Sequence, residues 1–153
     1  MERALDLIGT RSAMTLLREA FYGATHFDDL VRRAAVTPAV GSQRLRQMVD
    51  NGLLERVPYQ EPGQRTRYAY TITQLGLDIF PIIVALARLG DRLPGEPEKT
   101  ILLSHAGCGE PVATEVRCAL GHVVKPSDTV VSVVDSPPHG DGAPGRPGEP
   151  QGS

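Results

Sequence analysis

Two short helical patterns separated by about three residues constrain this chain more than any other feature. The first opens at Thr25-His26-Phe27-Asp28, where Thr followed three residues later by an acid predicts a capping box. It buries Phe27, Leu30 and Val31 and ends around Ala35-Val36. The second starts at Thr37-Pro38. Thr is a good N-cap, and Pro suits the first helical position because its missing N–H would be unbonded there anyway. Asn51-Gly52 is a strong stop. Two short helices joined this closely predict a helix-turn-helix, whose second helix can enter a DNA major groove.

The second helix divides into two faces. Gly41, Leu45, Met48 and Val49 fall on one side, and Ala39, Ser42, Gln43 and Arg46 on the other, at i, i+3, i+4 and i+7. The second face is small and polar with one guanidinium, unlike the Glu/Lys mixture of a merely solvated helix. Gln43 can pair bidentately with adenine, Arg46 with guanine, and Ala39 can meet a thymine methyl. Ser42 belongs to the same set, and Thr37 stands with Ala39 at the helix entrance. The competing reading is an ordinary solvated face. Arg44 lies at its edge, with a phosphate contact and an intramolecular ion pair equally open.

Beyond Gly52 the chain reads as a wing. Leu53 to Tyr59 predicts a strand, Glu61-Pro62-Gly63-Gln64 has the Pro-Gly pair of a type II turn, and Arg67 to Thr73 predicts the return strand. Arg65 and Arg67, just past the turn, can reach phosphates or an adjacent minor groove. Two helices precede this unit. Leu5 and Ile8 mark the first, and Met14, Leu16, Leu17, Ala20 and Phe21 the second, with Gly9 between them and Gly23 as the stop. After the wing, Thr73 caps a helix expected to run unbroken to about Leu93. Its stripe of Leu75, Ile79, Ile82, Ile83, Leu86, Leu89 and Leu93 is wider than so small a domain covers alone. A partner helix is implied, and with it a homodimer. The expected fold class is mainly α with a small β-hairpin (α+β): a winged helix-turn-helix with flanking dimerisation helices and a small C-terminal appendix.

Composition sets the remaining boundaries. The 16 Gly and 13 Pro concentrate near the C-terminus. Residues 136–153 hold no large apolar side chain to offset the entropy of ordering, which predicts a disordered tail. Residues 94–99 carry two prolines and a glycine and read as a linker. This leaves a body over 1–93 and an appendix over 100–135. Residues 1–100 have 13 Lys/Arg against 12 Asp/Glu, and residues 101–153 have 3 against 6, reproducing the net charge of −2. Binding to an anionic polymer must therefore use a local patch rather than a global field. No apolar run approaches the roughly 18–20 residues of a membrane span, and no signal-peptide pattern opens the sequence. With only two cysteines the chain reads as cytosolic.

Several segments in register resemble one family. Leu7-Ile8-Gly9-Thr10-Arg11, Thr15-Leu16-Leu17-Arg18-Glu19-Ala20, His26-Phe27-Asp28-Asp29-Leu30, Gln43-Arg44-Leu45-Arg46, Gly52-Leu53-Leu54-Glu55-Arg56, Arg67-Tyr68-Ala69-Tyr70 and Leu75-Gly76 follow the order of HxlR-type winged-helix bacterial regulators. The resemblance covers about residues 1–93. It implies a dimer that binds a near-palindromic double-stranded DNA operator and represses or activates transcription. Ser12 stands where the family usually has tryptophan, and Ala69 where it often has an acid. No cysteine precedes Cys108, so the thiol sensing of many members does not transfer, and the effector stays unknown.

The appendix holds His105-Ala106-Gly107-Cys108 and Cys118-Ala119-Leu120-Gly121-His122. His105, Cys108, Cys118 and His122 are zinc-ligand types at H-x2-C and C-x3-H spacing, which could close a structural tetrahedral site. A hairpin with two free thiols, or with a disulfide, fits the same residues. An enzyme is not expected, because no phosphate loop, nucleophile elbow or catalytic His/Cys pairing occurs in the body. The alternative from another class is a dimeric metal or ligand sensor, or a protein-interaction module, that has lost DNA binding.

Overall fold

The computed structural model describes residues 1–60, 63, 65–95 and 102–132. The expected tail over 136–153, three residues of the expected turn (61, 62 and 64) and most of the expected linker lie outside these. The described chain separates into two compact units, Met1–Thr114 and Glu115 onward.

The first unit contains α1 (Glu2–Ile8), α2 (Arg11–Phe21), α3 (Phe27–Arg33), α4 (Pro38–Asp50), β1 (Leu54–Tyr59), β2 (Arg67–Ile72), α5 (Gln74–Leu77) and α6 (Phe80–Gly90). Helix α2 is central. Thr10 caps it by accepting the Ala13 N–H at 3.2 Å, and its Leu16 and Leu17 are wholly buried together with Leu30 of α3 and Leu45 and Met48 of α4. Burying a leucine of this kind contributes roughly 1.5–3 kcal/mol, so these side chains are a large part of what holds the three helices together. Glu19 of α2 is the one buried charged residue among those described. A buried carboxylate needs partners, and Arg18 supplies them through Nε at 2.9 Å and Nη2 at 2.7 Å.

Two expectations are corrected. The last helix is not continuous: it is interrupted at Asp78–Ile79, between α5 and α6. Pro81 sits in the first turn of α6. It has no N–H to donate into a continuing helix, and its ring crowds the preceding turn, so the pattern cannot run through it. The Thr25 capping box does not form either. The N-cap of α3 is His26, in extended backbone and without a side-chain cap bond, and Thr25 is paired with β2 instead: its carbonyl accepts the Tyr70 N–H at 2.7 Å.

The hairpin is antiparallel, from Leu54↔Ile72 to Tyr59↔Arg67, and His26 adds a one-residue bridge to Ala69 on the other side of β2. In the same unit, residues 102–114 form a small loop closed by a Ser104↔Pro111 bridge. The second unit has an equivalent Arg117↔Val123 bridge and a short 3-10 turn at Pro126–Asp128.

Candidate nucleic-acid interface

Helix α4 is presented by its cap and by a glycine. Thr37 Oγ1 accepts the Val40 N–H at 3.4 Å, and Pro38 occupies the first turn, as expected from sequence. Gly41 faces α3, where a Cβ would overlap Val31 Cγ2. The two helices therefore cross so closely that a side chain at position 41 would have to displace Val31, and the opposite face of α4 points out. Thr37, Ala39, Ser42, Gln43 and Arg46 are all exposed or half-buried at the surface. Among the described residues, the side chains of Ser42, Gln43 and Arg46 have no hydrogen bond or ion pair within the chain. Arg44 differs: it is half-buried, donates from Nη1 to Gln47 Oε1 at 2.9 Å, and keeps a buried Nε without a hydrogen-bond partner. Its contact is intramolecular, but to an amide rather than a carboxylate.

The wing lies directly after α4 in the chain. Gly63 has φ +79, the conformation a type II turn requires at that position. Arg65 and Arg67 are exposed. The Thr25–His26 segment ties the hairpin to the start of α3, so helix-turn-helix and wing are joined through backbone hydrogen bonds as well as through the connection at Gly52. At that connection Thr73 Oγ1 donates to the Gly52 carbonyl at 2.5 Å, with the Leu53 carbonyl farther off at 3.2 Å, and accepts the Gly76 N–H at 3.1 Å.

Sequence reasoning misses what gathers at the base of the wing. The His26 ring meets Tyr59 edge-on, with centroids 4.7 Å apart, and the Arg56 guanidinium lies 4.1 Å from the centre of the Tyr68 ring. The alternation of Tyr68 and Tyr70 is visible in the sequence, but a one-residue bridge from another element leaves no periodic signal. Nearby, Arg32 holds the exposed Asp29 carboxyl below its ordinary pKa through a side-chain hydrogen bond.

The expected metal ligands fall in both units. In the first, His105 Nδ1 is 3.2 Å from Cys108 Sγ. In the second, the Cys118 N–H donates to the His122 carbonyl at 3.0 Å. Both thiols are free and exposed. Among the described residues no three His, Cys, Asp or Glu side chains gather as a metal site, so the first unit offers two of the four donors a closed zinc site needs.

The profile of the HxlR-like helix-turn-helix family matches residues 7–97. The chain belongs to that family. It is a transcriptional regulator of the HxlR type. It is 39% identical over 117 residues to an uncharacterized HTH-type transcriptional regulator of Mycobacterium tuberculosis, covering 76% of this chain and 73% of that one. Among solved structures it resembles PA1607, a candidate transcription factor, with TM-score 0.72 and 31% identity over 85% of this chain and 91% of the other. A second candidate transcription factor, PA1374 of Pseudomonas aeruginosa, superposes with TM-score 0.60 at 28% identity, covering 86% and 89% of the two chains. Among the described residues no helix is long and apolar enough to cross a membrane.

Proposed function

We propose that this HxlR-type regulator binds a near-palindromic DNA operator as a homodimer, in the cytosol. The observation that carries the reading is the outward face of Ala39, Ser42, Gln43 and Arg46, whose polar side chains have no hydrogen-bond or ion-pair partners among the described residues, beside a wing that carries Arg65 and Arg67. Ser42, Gln43 and Arg46 read base edges, and Thr37 and Ala39 stand at the entrance of the groove. Arg65 and Arg67 hold the backbone or an adjacent minor groove. Arg44, turned onto Gln47, serves the helix more than the groove.

The dimer is supported by α6 and the residues after it. Ile79 and Ile83 pack into the chain's own core, while Ile82, Leu86, Leu89 and Leu93 are 44–59% exposed along one side. A continuous row of aliphatic side chains in water favours burial against a second copy. Two copies related by a two-fold axis would place their α4 helices in successive major grooves, about 34–36 Å apart.

Selection of bound duplexes from a random pool, with the winners measured at two salt concentrations, tests this. A two-fold symmetric winner with a steep salt dependence is expected. Failure to enrich any sequence would favour the sensor or interaction module.

A further inference from the structure

A cleft of about 320 Å³ lies between the start of α3 and the hairpin, lined by His26, Asp28, Arg56, Tyr59, Arg67 and Tyr68. With Tyr70 it gathers three of the chain's four tyrosines beside two arginines. Among the described residues, no carboxylate forms an ion pair with Arg56 or Arg67. Arg56 rests on the face of Tyr68 instead. Aromatic walls with a few convergent polar groups are the usual make-up of a small-ligand site, and such sites begin at about 300 Å³.

We propose that this wing-root cleft binds a small aromatic carboxylate. A guanidinium presents a planar fork that matches a carboxylate in two parallel hydrogen bonds. Tyrosine rings offer stacking and edge contacts to a flat ring. Space of this size admits one or two rings. Asp28 also lines the cleft, and its negative charge disfavours multiply charged anions, which favours a monoanionic carboxylate over dianionic phosphate.

The consequence is regulatory, and this part rests on the DNA reading above. Arg67 lines the cleft and also belongs to the wing set proposed to hold DNA. A ligand carboxylate would compete with a phosphate for the Arg67 guanidinium, so filling the cleft weakens operator binding. The ligand would also bridge the start of the helix-turn-helix and the hairpin, the two bodies joined at His26↔Ala69.

Calorimetric titration of the full-length chain, without DNA, tests the site. The probes are benzoate and naphthoate, with cyclohexanecarboxylate and inorganic phosphate as controls. The aromatic carboxylates should bind at least about tenfold more tightly than either control, and Arg56→Gln should weaken them by about tenfold, the loss expected for one charge-assisted contact. Tyr68→Leu carries the same expectation should Arg56→Gln fail to fold. No binding of either aromatic acid up to about 10 mM would overturn the proposal. So would phosphate binding as tightly as benzoate, or folded variants that bind like the parent. In a separate arm, naphthoate should lower affinity for the selected operator. If the carboxylate binds while the ligand-free chain binds no duplex, the DNA reading fails and the ligand site stands.

Discussion

Gly41 of α4 and Val31 of α3 meet so closely that a single added methyl on residue 41 would overlap Val31 Cγ2. This contact sets the crossing of the helix-turn-helix, and through it the direction in which Ser42, Gln43 and Arg46 face. Gly41→Ala forces Val31 or the helix to shift. Overpacking a core by one methyl costs about 1–3 kcal/mol, against about 1 kcal/mol regained because alanine is the better helix former, so a net loss of up to about 2 kcal/mol is expected. Urea unfolding measures it, and a higher midpoint would show that the crossing is looser than this contact requires.

The turn between α3 and α4 carries a second, opposite opportunity. Ala35 has φ +52, in the left-handed region. An L-residue there is disfavoured by roughly 1–2 kcal/mol, while glycine is not. Part of that gain is lost to the greater freedom of glycine in the unfolded chain. Ala35→Gly is expected to leave stability unchanged or raise it by up to about 1 kcal/mol, and a lowered melting temperature would contradict this.

Much of this architecture is legible in the sequence. The Thr37-Pro38 start, the Asn51-Gly52 stop and the two-face division of α4 all rest on local rules, and local rules survive folding. Pro81 is also visible, and its missing N–H is reason enough to break the last helix, but the wide stripe from Leu75 to Leu93 obscures it. The pairing of Thr25 and His26 with β2 is not legible, since it joins residues more than forty positions apart through a one-residue bridge. The edge contact of His26 with Tyr59 depends on that pairing and is hidden with it, whereas Arg56 over Tyr68 lies within the hairpin itself. Arg44 shows the same limit: its position at the edge of the face is plain, whereas its turn onto Gln47 is a rotamer choice.

Asp29 gives a pH signature. The hydrogen bond from Arg32 is the largest cause of its lowered pKa, with Arg32, Arg33 and His26 adding charge in the same direction and desolvation opposing them. A group with a depressed folded-state pKa contributes stability that is fully present above its unfolded pKa and is lost as pH falls through the folded one. The contribution is small, because both partners are exposed. NMR titration of the Asp29 carboxyl should show its midpoint below the ordinary aspartate value, rising in Arg32→Gln. A midpoint that does not move would remove Arg32 as the cause.

Leu86 tests the dimer. It lies in the middle of the exposed row on α6, 48% exposed. Leu86→Glu places a charge in the proposed interface with little demand on the chain's own core. Light scattering should report a dimer for the parent and a monomer for the variant, with the circular dichroism spectrum preserved. A variant that remains dimeric would move the interface elsewhere.

Base reading by α4 is the central claim, and Arg46→Ala measured against the selected operator and a scrambled duplex tests it most directly. If Arg46 contacts a base, the variant loses about 1–3 kcal/mol on the operator and little on the scrambled duplex, so discrimination narrows. Arg67→Ala run alongside should weaken both duplexes alike and flatten the salt dependence. Equal losses from both duplexes for Arg46→Ala would contradict the account and make Arg46 a phosphate contact.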